Sequence, residues 1–248
     1  MKIRSIYFVF VFLFVSNAHA ATEANCKVAD PAHIQASYKI TRGNEKYSKS
    51  ENITITRKDG LVAHTNHDAH ISDVWFKHSN NRVALVRYFD EHKRGIEYEP
   101  FDLRKNGKEI DWGNKYQLIS EQTLKALTLV AEGKIGCDKI EFYEGEINGH
   151  NIRLEWLPEH KLVKLLSVSK ENVYQNISLT DKNVDTENAI TFYSDREKFQ
   201  LTDYTDIGDN ESDPFLLSMI NLGFVEHGGE GFYDAEGNQM GAQHGHHH

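Results

Sequence analysis

What most constrains this chain is an alternation of apolar and polar residues with a period of two, recurring between short turn-forming stretches. Ile34, Ala36, Tyr38 and Ile40 are separated by mostly polar residues, and Ile53 and Ile55 repeat the pattern. Successive side chains of an extended chain point to opposite faces, so this alternation marks strands with one buried side. Val74–His78, Val83–Phe89 and Gly95–Phe101 read as further strands, the last two joined by the charged turn Asp90-Glu91-His92-Lys93-Arg94. From Lys139 onward come Phe142 and Tyr143, Ile152–Trp156, Leu162–Val168 and Val173–Leu179. Asn148-Gly149, Pro158-Glu159-His160 and Lys170-Glu171 separate them with the turn chemistry of a meander. Phe199–Tyr204 reads as a last strand. The expected fold class is mainly β (α+β): a curved antiparallel sheet or half-barrel with a central helix and a short C-terminal helix.

The central helix is expected after Ser120 as N-cap, with Leu124, Leu127, Val130 and Ala131 on one face and Gly133 ending it in the left-handed conformation. Asp213-Pro214 supplies N-cap and N1 for the second, which runs through Leu216, Leu217, Met219, Ile220 and Leu222 to Gly223.

The N-terminus reads as a secretory leader spanning residues 1–20. Lys2 and Arg4 form a positive region, Ile6 to Val15 is mostly apolar, and Ala18-His19-Ala20 offers small residues where a signal peptidase reads. The apolar run is about ten residues, against the roughly 20 of a membrane span, so cleavage after Ala20 is expected to leave no transmembrane segment. The residues before Cys26 do not form a lipoprotein box. The compartment implied is the periplasm. Four prolines and no Ser- or Gly-rich linker leave one β-rich domain over 21–225, followed by a flexible Gly/His-rich tail over 226–248. A formal charge of -9 argues against a phosphate-backbone partner, so nucleic acid is not expected. Two cysteines in an oxidising compartment, Cys26 and Cys137, are expected to be bonded to each other, while a thiol metal site or redox pair lacks the C-x-x-C signature.

Many antiparallel strands broken by one helix resemble the periplasmic lipoprotein-carrier architecture of the LolA and LolB type, over about residues 33–204. The resemblance implies a half-barrel whose concave face is closed by helices and holds acyl chains, with lipid or an envelope protein as partner. Its lid helices and functional arginine match no residue here. Trp75, Phe76, Tyr88, Phe89, Tyr98, Phe101 and Trp156 would line such a pocket; the competing reading is the ordinary core of a sheet. Two stretches, Arg87-Tyr88-Phe89 through Gly95-Ile96-Glu97-Tyr98-Glu99-Pro100 and Asp206 to Phe215, look like signatures of a family of exported bacterial proteins, with no activity attached.

Three places carry candidate chemistry. His64, His67, Asp68 and His70 bring together the ligand types that Zn²⁺, Cu²⁺ and Ni²⁺ select, the alternative being a solvated loop between strands. The tail residues His244, His246, His247 and His248 form a short His-rich tract of the kind that binds divalent metals loosely; a purification tag is the competing explanation. Asp203, Asp206, Asp209, Glu211 and Asp213 precede the last helix, where carboxylates suit capping and the helix dipole better than an EF-hand calcium loop, whose spacing is absent. No G-x-S-x-G elbow, H-E-x-x-H helix or phosphate-binding glycine loop occurs. The sequence therefore points to a non-enzymatic binding protein for a hydrophobic envelope ligand, with a metal-binding protein as the alternative.

Overall fold

A computed structural model describes residues 30–104, 107–209, 212–221, 232–233 and 239–240. The leader, Cys26, Glu211, the side chain of Asp209 and the histidines of the tail lie outside the described residues.

Twelve strands form one open antiparallel sheet closed at one edge by a short parallel strand. In chain order they are β1 (Ile34–Asn44), β2 (Ser48–Lys58), β3 (Leu61–Asn66), β4 (Ile71–Lys77), β5 (Val83–Phe89), β6 (Arg94–Tyr98), β7 (Thr128–Ile135), β8 (Asp138–Ile147), β9 (His150–Leu157), β10 (Leu162–Lys170), β11 (Val173–Asn183) and β12 (Gln200–Asp203). Spatially the order is β12-β6-β5-β4-β3-β2-β1-β11-β10-β9-β8-β7. Two meanders, β1–β6 and β7–β11, are thus joined along a single seam, β1 against β11. Among the described residues four short α-helices accompany the sheet: α1 (Trp112–Gln117), α2 (Glu121–Ala126) and α3 (Thr186–Arg196) in connections between strands, and α4 (Pro214–Asn221) after β12. In the stretch read as a tail, Phe232–Tyr233 pairs antiparallel with Gln239–Met240.

Alternation sorts each strand into a core face and an opposite face. Ile34, Ala36, Tyr38 and Ile40 of β1 meet Ile53 and Ile55 of β2 and are almost wholly buried with them. The core face is covered by Trp112, Tyr116, Leu118, Ile119 and Leu124 around α1 and α2, and by Ile207, Leu216 and Met219 before and within α4. On the opposite face α3 lies across β1 and β2, its buried Tyr193 packed with Ala63 and Val74 and donating its hydroxyl to the Thr56 carbonyl at 2.7 Å.

The helix expected after Ser120 is shorter than its sequence pattern. Ser120 does cap it, accepting from the Thr123 amide at 2.9 Å, but the helix ends at Ala126 and the chain goes straight into β7. Val130, Ala131 and Gly133 therefore lie on an exposed edge strand. The hairpin turn through Gly136, at φ 61°, brings β8 alongside β7, and strand pairing outweighs the helical spacing of Leu124, Leu127 and Val130. The segment of α3 carries no clear apolar stripe and was not legible as a helix. The Asp213-Pro214 start holds, with Asp213 Oδ1 accepting from the Phe215 amide at 2.9 Å.

Arg57 ties these parts together. It continues the buried parity of Ile53 and Ile55, and its relative exposure is 0%. Its guanidinium donates to four main-chain carbonyls: Tyr116 at 2.8 Å, Pro31 at 3.3 Å, His160 at 2.9 Å and Lys161 at 2.7 Å. It also lies 4.2 Å from the Tyr116 ring centroid. One side chain of the first meander therefore fixes the N-terminal segment, helix α1 and the β9–β10 turn of the second meander. Arg57→Leu strips the donors from those buried carbonyls and is expected to cost about 3 to 5 kcal/mol in urea unfolding. Arg57→Lys, which keeps the charge without the planar fork, should recover only part of that.

Candidate functional site

Strand register carries a row of ionisable side chains across the core face. His64 on β3 pairs with Asp73 on β4, which pairs with Arg87 on β5. The flanking rows are largely apolar and aromatic: Val62, Trp75, Leu85 and Tyr98 on one side, Ile71 and Phe89 on the other. Arg87 grips Asp73 with both ends of its fork, Nε to Oδ1 at 2.7 Å and Nη2 to Oδ2 at 2.8 Å. Helix α1 closes over this row. His64 Nε2 lies 2.7 Å from the Lys115 carbonyl, and since a carbonyl only accepts, Nε2 carries the proton. The Lys115 ammonium sits 3.9 Å from the centroid of the Trp75 ring.

Burial sets the protonation of this row. Desolvation pulls Lys115 down to about 8, with Asp73 opposing and Arg87 reinforcing the fall. Desolvation likewise lowers His64 to about 4, helped by the Lys115 charge. The imidazole is therefore neutral in the fold. Three other polar tips on the same face, the Tyr38 hydroxyl, the Trp75 indole nitrogen and the Tyr98 hydroxyl, are buried without a hydrogen-bond partner among the described residues. Buried groups of this kind are rare in folded proteins and costly to leave unmade.

The residues that the sequence offered are distributed unevenly over this geometry. Trp75, Phe89, Tyr98 and Trp156 are buried in the principal core. Phe76 and Tyr88 alternate to the opposite face, where Tyr88 packs beside Val74 and edge-on to Phe199 at 5.7 Å, and Phe101 is 76% exposed in the turn after β6. The three loop imidazoles do not face one another. His64 points into the core, His67 is exposed with Nε2 2.8 Å from Thr54 Oγ1, and exposed His70 lies 3.4 Å from Glu91. Asp68 sits in the turn, its amide donating to Asn66 Oδ1 at 3.0 Å. Among the described residues the convergent metal-ligating group is a different one, Asp138, Glu159 and His160. Of the acidic stretch, Asp203 accepts from Thr205 at 2.9 Å and Asp213 from Arg94 at 2.8 Å, while Asp206 is engaged as well. Cys137, in the β7–β8 turn, is not a free thiol.

Both family-like stretches come together at one corner. Arg94 pairs with Asp213 and lies 4.8 Å from the Phe215 ring centroid, and Phe89 packs edge-on to Phe215 at 5.2 Å; just ahead of the second stretch, Tyr204 stacks on Tyr98 at 4.8 Å. Sequence reading missed Arg57, Asp73 and Lys115. Arg57 was detectable, because it holds the inward position two residues after Ile55; Lys115 had no such signal.

No protein-family profile matches the chain, and no curated protein matches it. Among solved structures it is similar to PNGF-II at 9% identity and a TM-score of 0.36, covering 68% of this chain and 31% of that one. It is also similar to a Vibrio parahaemolyticus domain assigned to outer membrane lipoprotein sorting, at 9% identity and a TM-score of 0.33, covering 67% of this chain and 92% of that one. A third is the Pseudomonas aeruginosa MucA/MucB complex, at 13% identity and a TM-score of 0.32, with 62% and 52% covered. The chain spans less than a third of PNGF-II. No helix among the described residues is long and apolar enough to cross a membrane.

Neutral burial of His64 fixes the sign of a pH effect. Its lowered pKa means that the unfolded chain takes up a proton below about pH 6.5 and the fold does not until about pH 4. Stability should thus fall through that window by up to about 3 kcal/mol. His33, raised by its hydrogen bond to Asp30, acts oppositely, its contribution being lost as pH climbs above its ordinary value. Urea midpoints measured from pH 4 to 8 should show the acid-side slope in the native protein and a flattened one in His64→Gln.

Proposed function

We propose that this chain is an exported, non-enzymatic binding protein of the periplasm that carries a hydrophobic envelope ligand, such as lipid or the acyl chains of a lipoprotein, on the core face of its sheet. The observation that carries this reading is the pattern of that face. Aromatic and aliphatic rows supply apolar surface, while Tyr38, Trp75 and Tyr98 present buried polar tips with no partner among the described residues. An amphiphile answers both features, because its chain joins the apolar rows and its oxygen-rich head takes up the indole and phenol hydrogens. The three strands β1, β4 and β6 that bear these tips span five strand spacings, about 24 Å at 4.8 Å each.

Protein recovered from the envelope should yield lipid on solvent extraction and mass spectrometry. Tyr98→Phe and Tyr38→Phe remove only an unpaired hydroxyl, so unfolding midpoints should stay level or rise while affinity for a fluorescent acyl probe drops about five-fold or more. Lipid-free native protein that also ignores the probe overturns the carrier reading.

Export carries a covalent corollary. We propose cleavage after Ala20 and a Cys26–Cys137 bridge in the mature protein. Non-reducing peptide mapping should recover the two cysteines in one linked peptide, and reduction should lower stability by about 2 to 5 kcal/mol. Free thiols at both positions in periplasmic protein would contradict it.

A further inference from the structure

At the end of the second meander, away from the His64–Asp73–Arg87 row, three side chains from two turn regions converge. Asp138 opens β8, Glu159 and His160 form the β9–β10 turn, and one ligand atom from each lies within 4.8 Å of the others. His160 is 4% exposed and cannot drift, because Arg57 holds its carbonyl at 2.9 Å.

A fourth group, Lys182 of β11, enters by an irregularity of the sheet. Along β1 the pairing passes from Ser37–Asp181 to Tyr38–Leu179, leaving Thr180 as an extra residue whose hydroxyl donates to the Ser37 carbonyl at 3.0 Å. This bulge shifts the alternation by one. Ile177 and Leu179 face the core, and Lys182, paired with Ala36, follows them in place of Asp181. The Lys182 ammonium then stands 2.6 Å from Asp138 Oδ2 and 2.8 Å from His160 Nε2.

The contacts of His160 Nε2 are mutually inconsistent for an imidazole and a lysine. Asp138 Oδ1 lies 2.6 Å from the same nitrogen. A protonated Nε2 satisfies the carboxylate but faces the ammonium hydrogens. A bare Nε2 accepts from the ammonium but turns its lone pair on the carboxylate oxygen. A cation without hydrogens accepts lone pairs from nitrogen and oxygen together, and one histidine with two carboxylates is a ligand set that Zn²⁺ takes, with a fourth position left to water.

We propose that Asp138, Glu159 and His160 form a Zn²⁺ site in which the Lys182 ammonium is a built-in competitor, holding the three ligands in place until the ion displaces it. The bulge at Thr180 supplies that competitor, and the Arg57 clamp on the His160 carbonyl orients the ring. The site lies at the end of the second meander, away from the His64–Asp73–Arg87 row on the first.

Opposite effects of two substitutions test this. Native mass spectrometry and calorimetric titration with Zn²⁺ are made on the full-length secreted chain, so that ions held by His244 to His248 contribute equally to every variant. His160→Gln and Asp138→Asn should each lose one bound ion per chain. Lys182→Met, by removing the competing charge, should retain that ion and bind it at least about tenfold more tightly. Lys182→Gln keeps a polar side chain at the bulge and should show the same gain if the methionine variant folds poorly. A purely structural ion-pair cluster predicts unchanged stoichiometry in all four variants, and that result, or weaker binding on loss of Lys182 in the folded variants, overturns the proposal.

Discussion

The arrangement depends on one buried guanidinium. Arg57 sits in a strand whose other inward residues are isoleucines, and its charge is matched by four carbonyl dipoles instead of a carboxylate. Carbonyls are fixed by the backbone, so a planar fork of donors that meets four of them dictates where three chain segments lie relative to β2. An ion pair with a flexible side chain would fix far less. The packing of α1 over the core face, and with it the Lys115 carbonyl that receives His64, follows from this clamp.

The period-two alternation was a reliable guide to the β-sheet because it reflects a geometric necessity of extended chain. Val83–Phe89 was bounded correctly from sequence, and Ile152–Trp156 and Leu162–Val168 came close to the observed limits of β9 and β10. What misled was a stretch compatible with both periods. Leu124, Leu127 and Val130 fit a helical face, yet β8 offers Thr128–Ile135 a ladder of hydrogen bonds that local spacing cannot reveal. The core face was legible only in its apolar members. Asp73, Arg87 and Lys115 are charged, and a composition-based reading sends charges to the surface; Asp73 and Arg87 are brought together by register between strands and Lys115 by the packing of α1, both long-range properties.

The same logic separates the two histidine groups. His64, His67 and His70 are close in sequence, but strand alternation and the β3–β4 turn send them to a backbone carbonyl, a threonine and a glutamate. Asp138 and His160 are distant in sequence and meet because β8 and the β9–β10 turn open at the same end of the sheet. Proximity along the chain was therefore the weaker indicator of shared chemistry.

The seam between β1 and β11 has a kinetic side. Within each meander neighbouring strands follow one another along the chain, so their hairpins close over short loops. The seam instead joins Ser37 to Thr180, 143 residues apart, and the loop entropy of that closure is paid before its contacts form. Each meander can gather its hairpins independently, and contact order makes the docking of the two the step expected to be slow. Until it happens, β1 and β11 are both unpaired edges, open to pairing with another chain.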